Sequence, residues 1–144
     1  MAQGEDLVKL MYRDNTDGGL ARPKYDVLIV EDEPISRKAL TALISAKGYN
    51  ADAAPSGEDA LKRSAQNGVP MIALVDLELP GMNGIELIKR LEALNPRVFP
   101  VLITAAAGDL VDSLRAKHPV AYLRKPLDFD RLLNLISERR TLHS

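Results

Sequence analysis

Glu31, Asp32, Asp76, Thr104 and Lys125 are the side chains whose types and spacing could do chemistry together, because each stands at the end of a short apolar run. Glu31-Asp32 closes Val27-Leu28-Ile29-Val30, and Asp76 closes Met71-Ile72-Ala73-Leu74-Val75. Thr104 follows Val98 to Ile103, and Lys125 stands just beyond Val120 to Leu123. Three carboxylates drawn within a few ångströms repel strongly at low effective dielectric, so something has to neutralise them. One candidate is a hard divalent cation: Mg²⁺ is commonly held by one or two carboxylates while it keeps waters and binds phosphate oxygens. The other is Lys125, a compact ammonium on a flexible stem that can reach from a neighbouring strand end. With the Thr104 hydroxyl as a donor to an oxyanion, the set suits a carboxylate that accepts a phosphoryl group. Asp76 would be the nucleophile, and metal and ammonium would offset charge on the transferring oxygens.

The elements that would position these residues follow from the hydrophobic pattern. Asp26 to Val30 reads as a strand, followed by a helix over Pro34 to Lys47 with Ile35, Ala39, Leu40, Leu43 and Ile44 on one face, ended by Gly48. Tyr49 to Ala54 is a weaker strand, and Ser56 with Asp59 starts a capped helix that ends near Gly68. Met71 to Val75 is the third strand; Asn83 with Glu86 caps a helix facing inward with Leu87, Ile88, Leu91 and Leu94. Val98 to Ile103 is the fourth strand, and Leu110, Val111 and Leu114 mark a shorter helix. Val120 to Leu123 is the fifth strand, and Asp128 begins a last helix with Leu132, Leu133 and Ile136. Five strands each followed by a helix imply an α/β fold, a doubly wound parallel sheet covered on both faces, because parallel neighbours need crossovers. Ligands of such a sheet bind outside the carboxyl ends of the strands, where the crossover direction switches. The five residues lie there.

Composition bounds the function. With 19 Lys+Arg against 20 Asp+Glu the net charge is −1, which leaves no electrostatic footprint for nucleic acid or an anionic membrane. The absence of cysteine excludes disulfides, thiolate metal sites and cysteine nucleophiles and fits a reducing compartment. No apolar run approaches the roughly 18 residues of a membrane helix, and Met1 to Asp17 lacks a signal-peptide core. A cytoplasmic protein is the expectation, and 144 residues suit one domain. Residues 1–24, turn-rich at Asp14 to Gly19 and broken at Arg22-Pro23, read as a flexible leader. Leu7, Leu10 and Met11 at helical spacing offer a short docking helix as the alternative. Residues 25–141 form the domain and 142–144 a tail.

From about Tyr25 to Arg139 the chain resembles the receiver domain of two-component response regulators. The resemblance rests on Val-Glu-Asp-Glu-Pro after the first strand, Val-Asp-Leu-Glu-Leu-Pro-Gly-Met-Asn-Gly from Val75, Thr104-Ala105, and Tyr122-Leu-Arg-Lys125-Pro126, in order and at family-like spacing. It implies a flavodoxin-like (βα)5 three-layer sandwich with strand order 2-1-3-4-5. It implies that Asp76 is phosphorylated by a sensor histidine kinase or a histidine phosphotransfer protein, and that Glu31, Asp32, Asp76 and the backbone carbonyl of Glu78 ligate Mg²⁺. Thr104 would bond the phosphoryl group, Lys125 would pair with it, and Tyr122 would change its packing as Thr104 moves. The domain would catalyse only its own phosphotransfer and dephosphorylation, so it is expected to signal and not to act as an enzyme on other substrates. The resemblance also raises the chance of a cis Lys125–Pro126 bond, and makes the face of the fourth helix, fifth strand and fifth helix the output surface and a candidate homodimer contact.

The chain departs from the family pattern at several points. Glu31 stands where Asp is usual, Pro100 lies one residue closer to Thr104 than the norm, and the stretch from Thr104 to Lys125, with Lys117-His118-Pro119, is about one residue short. Glu78 occupies the position that resembles the family's tuning site for phosphoryl lifetime. Neither histidine has a partner at metal or triad spacing, so His118 and His143 receive no role, and Met82 is read as packing or exposed loop. With four residues after Arg140, output through an unknown downstream protein is expected, from a stand-alone regulator, a phosphorelay intermediate or a fragment of a longer protein. Two other readings are a receiver-like module that binds partners without phosphorylation and a haloacid-dehalogenase-type phosphohydrolase. The second wants an Asp two residues after the nucleophile, where Glu78 stands.

Overall fold

The computed structural model describes residues 23–106, 108–118 and 120–143. The leader with Leu7, Leu10 and Met11, and Pro119, lie outside the described residues.

The strands are β1 (Val27–Val30), β2 (Ala51–Ala54), β3 (Ile72–Asp76), β4 (Phe99–Thr104) and β5 (Ala121–Arg124). The helices are α1 (Pro34–Ala46), α2 (Gly57–Asn67), α3 (Gly84–Leu94), α4 (Gly108–Lys117) and α5 (Phe129–His143). All strand pairs are parallel and the order is β2-β1-β3-β4-β5. The chain therefore moves outward from β1 to β2, returns to the far side of β1 at β3, and continues outward in that direction. The crossover direction switches between β1 and β3, which opens the crevice where the acids meet.

Alternation along the strands divides the core into two layers. Leu28, Val30, Ala73, Val75, Leu102 and Tyr122 face α2 and α3, where Ala60, Leu87, Ile88 and Leu91 are buried. Val27, Ile29, Ile72, Leu74, Val101, Ile103 and Leu123 face α1 and α5, where Leu40, Ile44, Leu132 and Ile136 are buried. All five residues of β3 are buried, consistent with the continuous apolar character of a strand covered on both faces. Each fully buried Leu or Ile contributes about 1.5–3 kcal/mol.

Local signals set the helix starts. Ser56 Oγ accepts from the Asp59 amide at 3.1 Å, and Asn83 Oδ1 accepts from the Glu86 amide at 2.9 Å. At α1 the cap is Glu33, whose carboxylate accepts from the Ile35 and Ser36 amides.

One expectation about an inner face needs correction. Ile35 is 78% exposed, in the first turn of α1, which begins after β1 has ended at Val30. Helix α4 has no buried residue; Val111 and Leu114 pack only partly against the core, and Leu110 is exposed. Pro100 sits inside β4 without breaking the sheet. The Phe99 amide donates to Met71 O on the β3 side, so position 100 faces the other edge, below the point where β5 begins opposite Val101.

Candidate functional site

Glu31 and Asp32 follow β1, Asp76 ends β3 and Lys125 follows β5, so the acids meet at the carboxyl edge of the sheet. One carboxylate oxygen from each of Glu31, Asp32 and Asp76 lies within 4.8 Å of the others. Glu31 and Asp76 are buried, while Asp32 is exposed. Both Asp76 oxygens are engaged. Oδ1 accepts from the Glu78 amide at 3.0 Å, and Oδ2 accepts from Lys125 Nζ at 3.0 Å. Lys125 Nζ also stands 3.6 Å from Glu31 Oε1. The ammonium arrives from the end of β5, reaching over β4 to β3, as the strand order 2-1-3-4-5 implies. The Lys125–Pro126 peptide is cis.

The electrostatics follow the geometry. Burial pushes the Glu31 carboxyl up to about 7, and Asp76, as proton acceptor and as like charge, adds to that. Burial also works against ionisation of Asp76, but Glu31, the Glu78 amide and Lys125 as hydrogen-bond donors, with the Lys125 charge, hold it below the ordinary carboxylate value. Burial opposes the charge on Lys125, yet Asp76 and Glu31 outweigh it and keep the ammonium above its usual value. The Lys125 ammonium thus pairs with two of the three clustered carboxyl groups, Asp76 and Glu31, and Glu31 Oε2 is buried without a hydrogen-bond partner. An all-oxygen donor set with a spare buried lone pair fits a hard divalent cation. A cavity of about 290 Å³ opens beside the cluster, with Glu31, Asp76 and Lys125 on one wall and Leu40, Leu127 and Phe129 among its apolar lining.

The remaining residues singled out from the sequence lie around this cluster. Thr104 is buried at the end of β4, one step past Ile103, the register partner of Asp76. Its hydroxyl accepts from the Ala106 amide at 2.9 Å, within its own loop. The Lys125 amide donates to Thr104 O at 2.8 Å, tying the ends of β4 and β5 together. Tyr122 is buried in the α2/α3-side core, with its hydroxyl 3.4 Å from His118 O and the Arg115 guanidinium 5.2 Å from its ring centre. Glu78 has an exposed side chain and presents its amide to Asp76.

Two positioning residues escaped the sequence reading. Arg37 Nη1 donates to Glu31 O at 2.9 Å and to Asp32 O at 3.1 Å, so α1 grips the backbone of the acid pair. In sequence it is one of two adjacent cations, Arg37 and Lys38, on an amphipathic helix, and nothing in residue type sets it apart. Gly84 is the other: a Cβ there would lie 2.5 Å from Asp76 O and 3.0 Å from Leu77 Cα. The start of α3 thus rests on the backbone of Asp76 itself.

Comparison with known proteins agrees with this geometry. The family model of the response regulator receiver domain matches residues 27–137. The transcriptional regulatory protein ZraR of Salmonella typhimurium is 38% identical over 115 residues, which is 78% of this chain but 26% of ZraR, so the chain spans about a quarter of that relative. Sporulation initiation phosphotransferase F of Bacillus subtilis is 27% identical over 119 residues, covering 82% of this chain and 95% of that protein. Among solved structures, the response regulator TrrA of Thermotoga maritima, in complex with Mg(2+)-BeF, superposes with a TM-score of 0.68 at 27% identity, over 78% of this chain and 96% of that one. Sheet order, acid crevice and sequence match converge on one assignment: this chain belongs to the response regulator receiver domain family.

Proposed function

We propose that Asp76 is the phosphoacceptor of this receiver domain, taken as residues 25–141, and that its phosphorylation requires Mg²⁺ held by Glu31, Asp32, Asp76 and the Glu78 carbonyl. The observation that carries this reading is the setting of Asp76: a buried carboxylate at a strand end, with Lys125 on one oxygen, a backbone amide on the other, and two more acids within reach. A carboxylate held ionised below its ordinary range is a competent nucleophile. An Asp76 oxygen attacks phosphorus, the bond from phosphorus to the donor breaks, and the donor leaves with the electron pair, giving an acyl phosphate on Asp76. When bound, Mg²⁺ supplies positive charge to the transferring oxygens.

Lys125, already paired with Asp76, stays paired with the phosphorylated residue. The Thr104 hydroxyl, which accepts from Ala106, keeps its own proton free to donate to a phosphoryl oxygen. That bond would draw the Thr104 loop toward position 76 and let Tyr122 repack, so the chemical step biases a two-state element. The donor is a sensor histidine kinase or a histidine phosphotransfer protein, and the output passes to a downstream protein or a second copy through the α4, β5 and α5 face.

Incubating the protein with Mg²⁺ and acetyl phosphate tests the reading by intact mass. The expected result is a single phosphoryl adduct that requires Mg²⁺ and is absent from Asp76→Asn. Continuous release of phosphate from varied monoesters would favour a hydrolase, and no adduct at all would favour a phosphorylation-independent binding module.

A further inference from the structure

The loop between β3 and α3 carries Glu78, and its far end is seated on an element that gives no residue to the acid cluster. At its near end the Glu78 amide bonds Asp76 Oδ1 at 3.0 Å, and the Gly84 amide donates to Leu77 O at 3.2 Å, closing the loop on itself. Between these fixed points Met82 is buried, with 8% exposure, against the first turn of α2. A Cβ on Gly57 would lie 3.0 Å from Met82 Sδ, 3.2 Å from its Cβ and 3.4 Å from its Cγ. Gly81, at φ +76°, makes the left-handed turn that aims the chain at this contact. Gly57 is the first residue of α2, where residues of better helix propensity would fit; Met82 is the neighbour that a side chain there would strike.

We propose that Gly57 and Met82 are positioning residues for phosphotransfer. The bare backbone of Gly57 is the socket for Met82, and Met82 seated there sets the distance between Glu78 and Asp76. This rests on the reading of Asp76 as the acceptor. With Leu77 and Gly84 fixed at the base of the loop, a side chain added at position 57 lifts Met82, and the displacement falls on residues 78–81. The bond from the Glu78 amide to Asp76 then lengthens, and the Glu78 carbonyl moves with it. Truncating Met82 loosens the same seat from the other side.

The test uses the full chain as Gly57→Val, Met82→Ala and the pair, with Mg²⁺ and acetyl phosphate. The readouts are the rate of adduct formation, the Mg²⁺ concentration at half-maximal rate, and the amide resonance of Glu78. Each single change is expected to slow phosphorylation about tenfold and to raise the Mg²⁺ requirement, as sub-ångström misplacement of a reacting group does. The Glu78 resonance shifts in each, and the pair recovers most of the loss because the shortened residue 82 leaves room for the valine. A purely structural contact would lower the thermal midpoint and leave the Mg²⁺ requirement of the folded protein alone. Folded single variants with wild-type Mg²⁺ dependence, or a pair no faster than independent effects allow, would overturn the proposal. Should Gly57→Val not fold, Met82→Ala decides by itself: an unmoved Glu78 resonance and unchanged Mg²⁺ requirement overturn it. If the wild-type chain takes up no phosphoryl group on Asp76, the reading of the acceptor fails instead, while the Glu78 resonance still tests the seat of the loop.

Discussion

Lys125 Nζ lies 3.0 Å from Asp76 Oδ2 although β4 separates their strands. Two interstrand steps of about 4.8 Å each have to be spanned, which a lysine stem does only when its backbone is aimed along the strand ends. The bond from the Lys125 amide to Thr104 O provides that aim, so the ends of three consecutive strands are locked to one another. The same ammonium serves Glu31, which ties the β1 end into the set.

Replacing Lys125 by alanine leaves Asp76 and Glu31 facing one another without the ammonium. Stability without metal falls by roughly 1–2 kcal/mol, less than the loss for a fully buried pair because Lys125 is about a third exposed. Denaturant midpoints with and without Mg²⁺ measure this, and the midpoint gain on adding Mg²⁺ is larger in the variant than in the wild type.

Arg37→Ala removes the guanidinium from the carbonyls of Glu31 and Asp32 without touching a carboxylate. Supports behind metal ligands are typically worth a factor of about 10–100 in affinity. Calorimetric titration with Mg²⁺ should show weakening of about tenfold in this variant, with the fold retained by circular dichroism.

Gly84→Ala places a Cβ 2.5 Å from Asp76 O, between backbone atoms that cannot rotate away. The cost is about 2–3 kcal/mol, in the range of overpacking a tight core. Equilibrium unfolding reads it directly, and Gly108→Ala, where a Cβ meets nothing within 4 Å, is the silent control.

Glu31 sets a pH dependence of the metal-free protein. Its carboxyl is raised from 4.5 to about 7, so the protonated form favours the fold. That stability is fully present below the unfolded value and is lost as pH rises through about 7. Asp76 runs the other way: its lowered value gives stability above the unfolded 3.8 that is lost as the solution is acidified through the folded value. In chelator, the midpoint attributable to Glu31 therefore declines between about pH 5 and pH 8, and Glu31→Gln flattens the decline. Mg²⁺ affinity rises over the same interval, because binding displaces the Glu31 proton.

Much of this was legible in the residues. The apolar runs marked four strands and the alternation at Tyr49 to Ala54 a weaker fifth, Ser56 and Asn83 marked two helix starts, and acids at the ends of two such runs pointed to the crevice before any strand order was known. Relationships that depend on atoms from distant segments were not legible. Arg37 looks like any solvated helix cation until its donors meet the carbonyls of Glu31 and Asp32. Gly84 reads as a turn residue until Asp76 O is found beneath it. Ile35 is exposed in the first turn of α1, after β1 has ended, which periodicity does not encode, and the weak anchoring of α4 reflects a helix whose apolar residues are few and sit at the rim of the core. That Lys125 crosses over β4 followed only from strand order, which came with the family resemblance and not with the hydrophobic pattern.

The central claim concerns which carboxylate becomes the acyl phosphate, with Glu31, Asp32 and Asp76 clustered within a few ångströms. Borohydride reduction of the phosphorylated protein converts an aspartyl phosphate to homoserine, which peptide mass spectrometry locates to a single residue. The expected result is homoserine at position 76 alone, formed only in samples that received Mg²⁺ and acetyl phosphate. Reduction at Asp32 or at any residue other than Asp76, or uptake of phosphate with position 76 untouched, would contradict the account.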